Sequence, residues 1–166
     1  MATYPITPSA ATGGTFAAGN YAIQYLDGTF TVNPAPGYES WASDGGHGLT
    51  DGVNDAPSDD PDHDGFSNLM EFALGGAPMI SSAAIQPTFS NPTADWVFEY
   101  NRSDAAQATT AQVVEYGNNL SGWTPVVIPA TSAGIVEITS GSPSDRVKVT
   151  IPNQGSQIFV RLKVSQ

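Results

Sequence analysis

Apolar and polar residues alternate along most of the second half of the chain. Val147, Val149 and Ile151 alternate with Arg146, Lys148 and Thr150. Ile158, Val160, Leu162 and Val164 alternate with Phe159, Arg161 and Lys163. A period of two puts one set of side chains on each face of a strand. The runs Trp96–Asn101, Gln112–Tyr116, Trp123–Ile128, Ile135–Ile138, Arg146–Ile151 and Ile158–Val164 are read as strands. Turn-rich stretches separate them, such as Gly117-Asn-Asn119, Gly141-Ser-Pro-Ser144 and Pro152-Asn-Gln-Gly155. Short strands at this spacing predict a small antiparallel β-sandwich over residues 86–166.

The first third also reads as β. Tyr21–Val32 is apolar on one face and carries Gln24 and Thr31 on the other. Asp27-Gly28 at its centre suits a two-residue type I′ turn, in which both positions need positive φ. That turn predicts a hairpin with Tyr25 facing Phe30 and Ile23 facing Val32. Asn33-Pro-Ala-Pro-Gly37 reads as a linker. Between these β regions the period changes. Phe66–Leu74 predicts a helix capped by Ser67, with Leu69, Met70, Ala73 and Leu74 on one apolar side. Gly75-Gly76 stops it and Pro78 follows. Tyr38–Trp41 predicts a short helical turn. Three segments result: a partial β-hairpin module with its linker (1–36), a loop-helix segment (37–85) and the sandwich (86–166). The fold class is mainly β, a small antiparallel sandwich plus an N-terminal hairpin joined by the loop-helix segment.

Charge singles out the middle segment. The 166 residues hold five Lys and Arg against sixteen Asp and Glu, a formal net charge of -11. Nine of the acids lie between Glu39 and Glu71, where there is no Lys or Arg. Such a balance argues against nucleic acid as a partner, because phosphate contacts need a basic surface. No apolar run approaches the roughly 20 residues of a membrane-spanning helix, so no membrane insertion is expected. Cysteine is absent, which excludes disulfides, thiolate zinc sites and Cys nucleophiles. Low charge with abundant Gly, Pro, Thr and Ser suits an extracellular or cell-surface β protein. Met1-Ala-Thr-Tyr-Pro5 lacks the basic start and apolar core of a signal peptide, so a secreted form is expected to be part of something longer.

Within the acidic run, Asp60-Pro-Asp62-His-Asp64-Gly65-Phe66-Ser-Asn68-Leu-Met-Glu71 fits D-x-D-x-D-G-x5-E at every specified position. Calcium is a hard cation that takes six to eight oxygens at about 2.3–2.6 Å. Asp60, Asp62 and Asp64 supply carboxylates from alternate positions, and Gly65 permits the sharp turn. Phe66 offers its backbone carbonyl, Asn68 binds directly or through water, and Glu71 closes the shell from the helix. Four carboxylates this close repel without a cation, so Ca2+ is the expected cofactor and should order the loop. Asp51, Asn54, Asp55 and Asp59 just upstream are candidates for a second ion, with turn and cap acids as the alternative.

The stretch from Asp60 to Gly76 resembles the calcium repeats of the thrombospondin type-3 and dockerin kind, which are EF-hand-like loops. It is especially similar to the D-P-D-G-D-G-L-S-N-L-x-E-Y-A-L-G form near the ends of large bacterial surface and secreted proteins. The resemblance implies calcium on Asp60, Asp62, Asp64 and Glu71, with Phe66 through its carbonyl and Asn68 as a further ligand. His63 stands where Gly is common and is read as exposed. One repeat rather than a dockerin pair argues against cohesin binding. Trp96-Val-Phe-Glu-Tyr-Asn-Arg102 and Val113-Val-Glu-Tyr-Gly-Asn-Asn-Leu-Ser-Gly-Trp123 resemble the β-rich tail that accompanies this motif. Tyr4-Pro-Ile-Thr7 and Asn20–Val32 resemble the second half of the bacterial MBG repeat, a β module of adhesin-like proteins. Half a module implies an apolar face and an open edge, to be covered by a neighbouring domain of a longer chain or by another copy.

Other chemistry finds less support. His47 and His63 with Asp44 or Asp62 are at best a weak zinc or nickel pair. No G-x-S-x-G motif is present. Glu99, Glu115, Glu137 and Asp145 read as outward strand residues. Trp41, Trp96 and Trp123 are a sugar platform or, more simply, core and rim packing. The expected function is therefore non-catalytic: a calcium-binding structural module of a large secreted or surface protein, not an enzyme. The alternatives are a self-assembling filament or surface-layer subunit completed by strand exchange, and a calcium-dependent carbohydrate-binding module with a polysaccharide partner.

Overall fold

A computed structural model describes residues 2–10, 13–15, 17–32, 37–43, 45–92, 94–153, 155 and 157–166. The chain is mainly β, and it divides into two compact units, Met1–Ala35 and Pro36–Gln166.

The first unit is a two-stranded antiparallel ribbon of β1 (Ala2–Ile6) and β2 (Gly28–Val32). The hairpin expected over Tyr21–Val32 does not form, and Tyr25 and Ile23 do not face Phe30 and Val32. Residues 22–27 carry no strand, and neither Asp27 nor Gly28 takes positive φ. Without that φ a type I′ turn has no backbone to stand on. Gly28 instead begins β2, and the partner comes from far along the chain, with Tyr4 opposite Phe30. A cross-strand aromatic pair of this kind stabilises a ribbon by up to about 1 kcal/mol. Every described side chain of this unit is exposed, including Tyr4, Ile6, Tyr21, Leu26 and Phe30.

The second unit holds the sandwich. One sheet has the order β3-β4-β8-β7, from β3 (Thr88–Ser90), β4 (Trp96–Ser103), β8 (Ser144–Ile151) and β7 (Val136–Thr139). The other has the order β6-β5-β9, from β6 (Thr124–Val127), β5 (Ala111–Gly117) and β9 (Phe159–Ser165). All neighbours run antiparallel. Phe98, Tyr100, Val147, Val149 and Ile151 from the first sheet meet Val114 and Tyr116 from the second in one core. The Tyr100 hydroxyl donates to Gln112 Oε1 at 2.8 Å and ties the two sheets inside it. All six predicted strands are present. The short β3 and the single turn α3 (Asp104–Gln107) had no pattern long enough to mark them.

Two further helices are α1 (Tyr38–Ser43) and α2 (Asn68–Leu74). α2 packs on this core, and α1 packs on α2. The sequence assigned α2 one apolar side, but the helix is covered on two. Leu74, with Met70 one turn earlier, faces the sandwich core. Ala73, with Leu69 one turn earlier, joins Phe72 in a second cluster with Tyr38, Ala42 and Ala106. A helix apolar nearly all round is a buried helix. The Ser103 hydroxyl donates to the Phe72 carbonyl at 2.7 Å and accepts from Ala106 N–H, so one side chain caps α3 and anchors α2.

Candidate metal centre

The start of α2 is organised by the acidic loop. Ser67 occupies the cap position but makes no side-chain cap bond. Free N–H groups of a first turn need other acceptors. Here Asn68 N–H donates to the Asp59 carbonyl at 2.7 Å and Leu69 N–H to that of Pro57 at 3.0 Å. The Asn68 side chain adds to this: its Nδ2 donates to the carbonyls of Asn54 and Ala56 at 2.9 and 3.0 Å. The Tyr38 hydroxyl donates to the Asp55 carbonyl at 2.6 Å, and burial pushes its pKa up to about 12. The upstream loop is thus stitched to α1 and α2.

The three aspartates fold around their own backbone. Asp60 accepts from the N–H groups of Asp64 and Gly65 at 3.2 and 3.0 Å. Asp62 Oδ1 accepts from Asp64 N–H at 3.1 Å, and Asp64 Oδ1 from Phe66 N–H at 2.8 Å. Gly65 sits at φ +94°, where a side chain would be strained. His63 is exposed, as expected, and holds φ +60°, which explains physically why Gly is favoured at such a place. One oxygen from each of Asp60, Asp62 and Asp64 lies within 4.8 Å of the other two. Such a group is able to hold a metal ion.

Glu71 stands outside that group of three but beside it. It is fully buried in α2. Its Oε1 accepts from the Ser82 hydroxyl at 2.8 Å, and Oε2 has no partner. Burial, reinforced by the charges of Asp62 and Asp64, pushes its carboxyl up to about 7. Asp62 Oδ2 and Asn68 Oδ1 are likewise buried without a partner. A buried acceptor left unmade costs about 1–3 kcal/mol, more when charged. Phe66 turns its ring toward the sandwich core.

Among the described residues no Lys or Arg relieves this charge. All five Lys and Arg are paired elsewhere: Arg102 with Asp145, Arg146 with Glu99, Lys148 with Glu137, and Arg161 and Lys163 with Glu115. The donor set is all oxygen, which suits a hard divalent cation. The residues present therefore fit a hard cation by an observation independent of spacing: orphaned buried oxygens in a segment with no Lys or Arg.

The upstream candidates are used otherwise. Asn54, Asp55 and Asp59 each accept a backbone N–H of their own turn, from Thr50, Gly52 and Ala56. That is the turn-acid alternative, and Asp51 joins no acidic group among the described residues. His47 stacks on Trp41 at 4.3 Å, while Asp44 lies outside the described residues. Trp41 joins the second cluster, Trp96 stacks on Phe89 at 4.8 Å, and Trp123 lies under Arg161. Asp145 corrects the expectation of an outward acid: it is 5% exposed and bound to Arg102. Ser82 was not foreseen, although its N–H donates to Asp64 Oδ2 and its hydroxyl to Glu71. Nothing in a loop motif marks a residue eleven positions beyond its last acid.

Fold and site together define a mainly β protein with a compact acidic centre able to hold a metal ion. No family model matches the chain, and no curated protein or solved structure is significantly similar to it.

Proposed function

We propose that the chain is a non-catalytic, calcium-binding structural module of a large secreted or cell-surface, adhesin-like protein. The observation that carries this is the meeting of Asp60, Asp62 and Asp64 beside Glu71, with Asp62 Oδ2 and Glu71 Oε2 buried and partnerless. Asp60, Asp62, Asp64 and Glu71 hold the ion, with the Phe66 carbonyl and Asn68 completing the shell. The ion supplies the positive charge that the segment lacks. It thereby fixes the loop against α2, which is wedged between the sandwich core and the second cluster. Calorimetric titration with calcium, with thermal melts of the same sample, tests this. At calcium about a hundredfold above Kd, stabilisation of about 2.7 kcal/mol should raise the melting temperature by about 5–10 °C. The Asp62→Ala/Asp64→Ala double variant should lose both the heat and the shift. Equal melting in calcium and in chelator would end the reading.

A second reading is favoured by one observation. Tyr4 and Phe30 pair across the ribbon of the first unit, and both are exposed, as is Ile6. A lone two-stranded ribbon is marginal in water, and its open edges accept a further strand. Self-association by strand addition predicts a concentration-dependent sedimentation coefficient. A monomer at every concentration would exclude it.

A further inference from the structure

We propose that Ser82 sets how the acidic centre takes its ion: it holds Glu71 to one-oxygen ligation and so weakens preference for calcium over magnesium. This rests on the calcium reading above. Ser82 is 8% exposed and lies outside the loop motif. Its hydroxyl donates to Glu71 Oε1 at 2.8 Å, nearer than its second acceptor, the Ile80 carbonyl at 3.1 Å, and its Oγ accepts from Ala77 N–H at 3.1 Å. Its own N–H donates to Asp64 Oδ2. The same oxygen lies against Gly76, where an added Cβ would come within 2.9 Å of it. One Glu71 oxygen is therefore held by Ser82, and the other, Oε2, is buried and unpartnered.

The two ions use such a carboxylate differently. Calcium takes six to eight oxygens, and in twelve-residue loops it takes two from the closing Glu. Magnesium demands an octahedron of six and keeps several waters. A Glu71 restricted to Oε2 removes an oxygen that calcium uses and magnesium does not need. Ser82 acts through Glu71 and touches no ion itself, so it is a positioning residue. A tether that merely orders the loop would change both affinities by the same factor. The ratio of the two is the readout that separates the roles.

The experiment is calorimetric titration of the full chain with calcium chloride and, separately, magnesium chloride. The proteins are the wild type, Ser82→Ala and Ser82→Thr. Ser82→Ala should raise the calcium-to-magnesium affinity ratio by roughly tenfold, the lower end of what outer partners of metal ligands control. Ser82→Thr keeps the hydroxyl and should keep the ratio. An unchanged ratio, or one moved toward magnesium, overturns the proposal even if both affinities fall. Infrared spectra of the calcium-loaded wild type give a check that needs no variant. The carboxylate stretch should show only one-oxygen ligation, and a two-oxygen band would overturn the role given to Ser82. A wild type that takes neither ion would instead remove the calcium reading itself, and this inference with it.

Discussion

Arg102 and Asp145 show how much a single pair decides. The guanidinium donates to Asp145 Oδ2 at 2.8 Å and to the carbonyls of Pro129 and Ala130. Both side chains are more than nine-tenths buried. Removing one partner of a buried pair leaves a desolvated charge, which costs about 3–5 kcal/mol. Arg102→Met should therefore lower stability by about that amount, measured as a shift in the urea midpoint at neutral pH. The pair also has a pH signature. The Arg102 hydrogen bond holds the Asp145 carboxyl below its ordinary value against the opposing effect of burial. A depressed folded value stabilises fully above the unfolded value of about 3.9 and is lost as pH falls through the folded one. Asp145→Asn should then be the weaker protein at neutral pH, with the gap to wild type closing below about pH 4. The sequence reading placed Asp145 outward, although its parity with Val147, Val149 and Ile151 puts it on the inward face. Its partner was not legible, because Arg102 lies opposite it only through the β4–β8 register. Ser82 was hidden for a related reason, since its hydrogen bonds depend on how residues 77–85 return to the loop.

At the scale of elements, the long patterns were readable and the short or distant pairings were not. The six sandwich strands and α2 follow from period and punctuation. The ribbon of β1 and β2 misled, because a local turn signal competed with a distant partner and lost. Two adjacent glycines after α2 do different work. Gly75 ends the helix at φ +81° with no atom within 4 Å of a Cβ, so Gly75→Ala strains only the backbone. Gly76 has no such φ, yet its Cβ would meet Ile85 Cδ1 at 2.7 Å and Glu71 at 2.9 Å. Overpacking of this kind costs about 1–3 kcal/mol, while loss of a left-handed Gly costs about 1 kcal/mol. The two variants should separate in calcium. Gly75→Ala should melt lower but keep the full calcium-induced rise. Gly76→Ala should melt lower and lose part of that rise, because it displaces a ligand. Equal calcium responses in parallel melts would show that Gly76 does not bear on the site.

Across the whole molecule the charges are segregated. The five bases are spent on Glu99, Glu115, Glu137 and Asp145 within the sandwich. The nine acids from Glu39 to Glu71 have no Lys or Arg among them in sequence, and among the described residues no Lys or Arg ion pair reaches them. Self-repulsion of one sign opposes a compact state and is screened by salt. The screening length falls from about 30 Å at 0.01 M to about 3 Å at 1 M. In chelator, the melting temperature should therefore climb as sodium chloride is raised across that range. With saturating calcium the climb should flatten, because a bound ion has already neutralised the densest group. Asp60→Asn/Asp62→Asn separates the two effects. It removes two negative charges without supplying an ion, so it should melt higher than wild type in low-salt chelator. In calcium it should fall below wild type, having lost two ligands. A salt response identical with and without calcium would place the repulsion outside the Asp60–Glu71 loop. Crossing of the two proteins between chelator and calcium would show one set of carboxylates acting first as a strain and then as a staple.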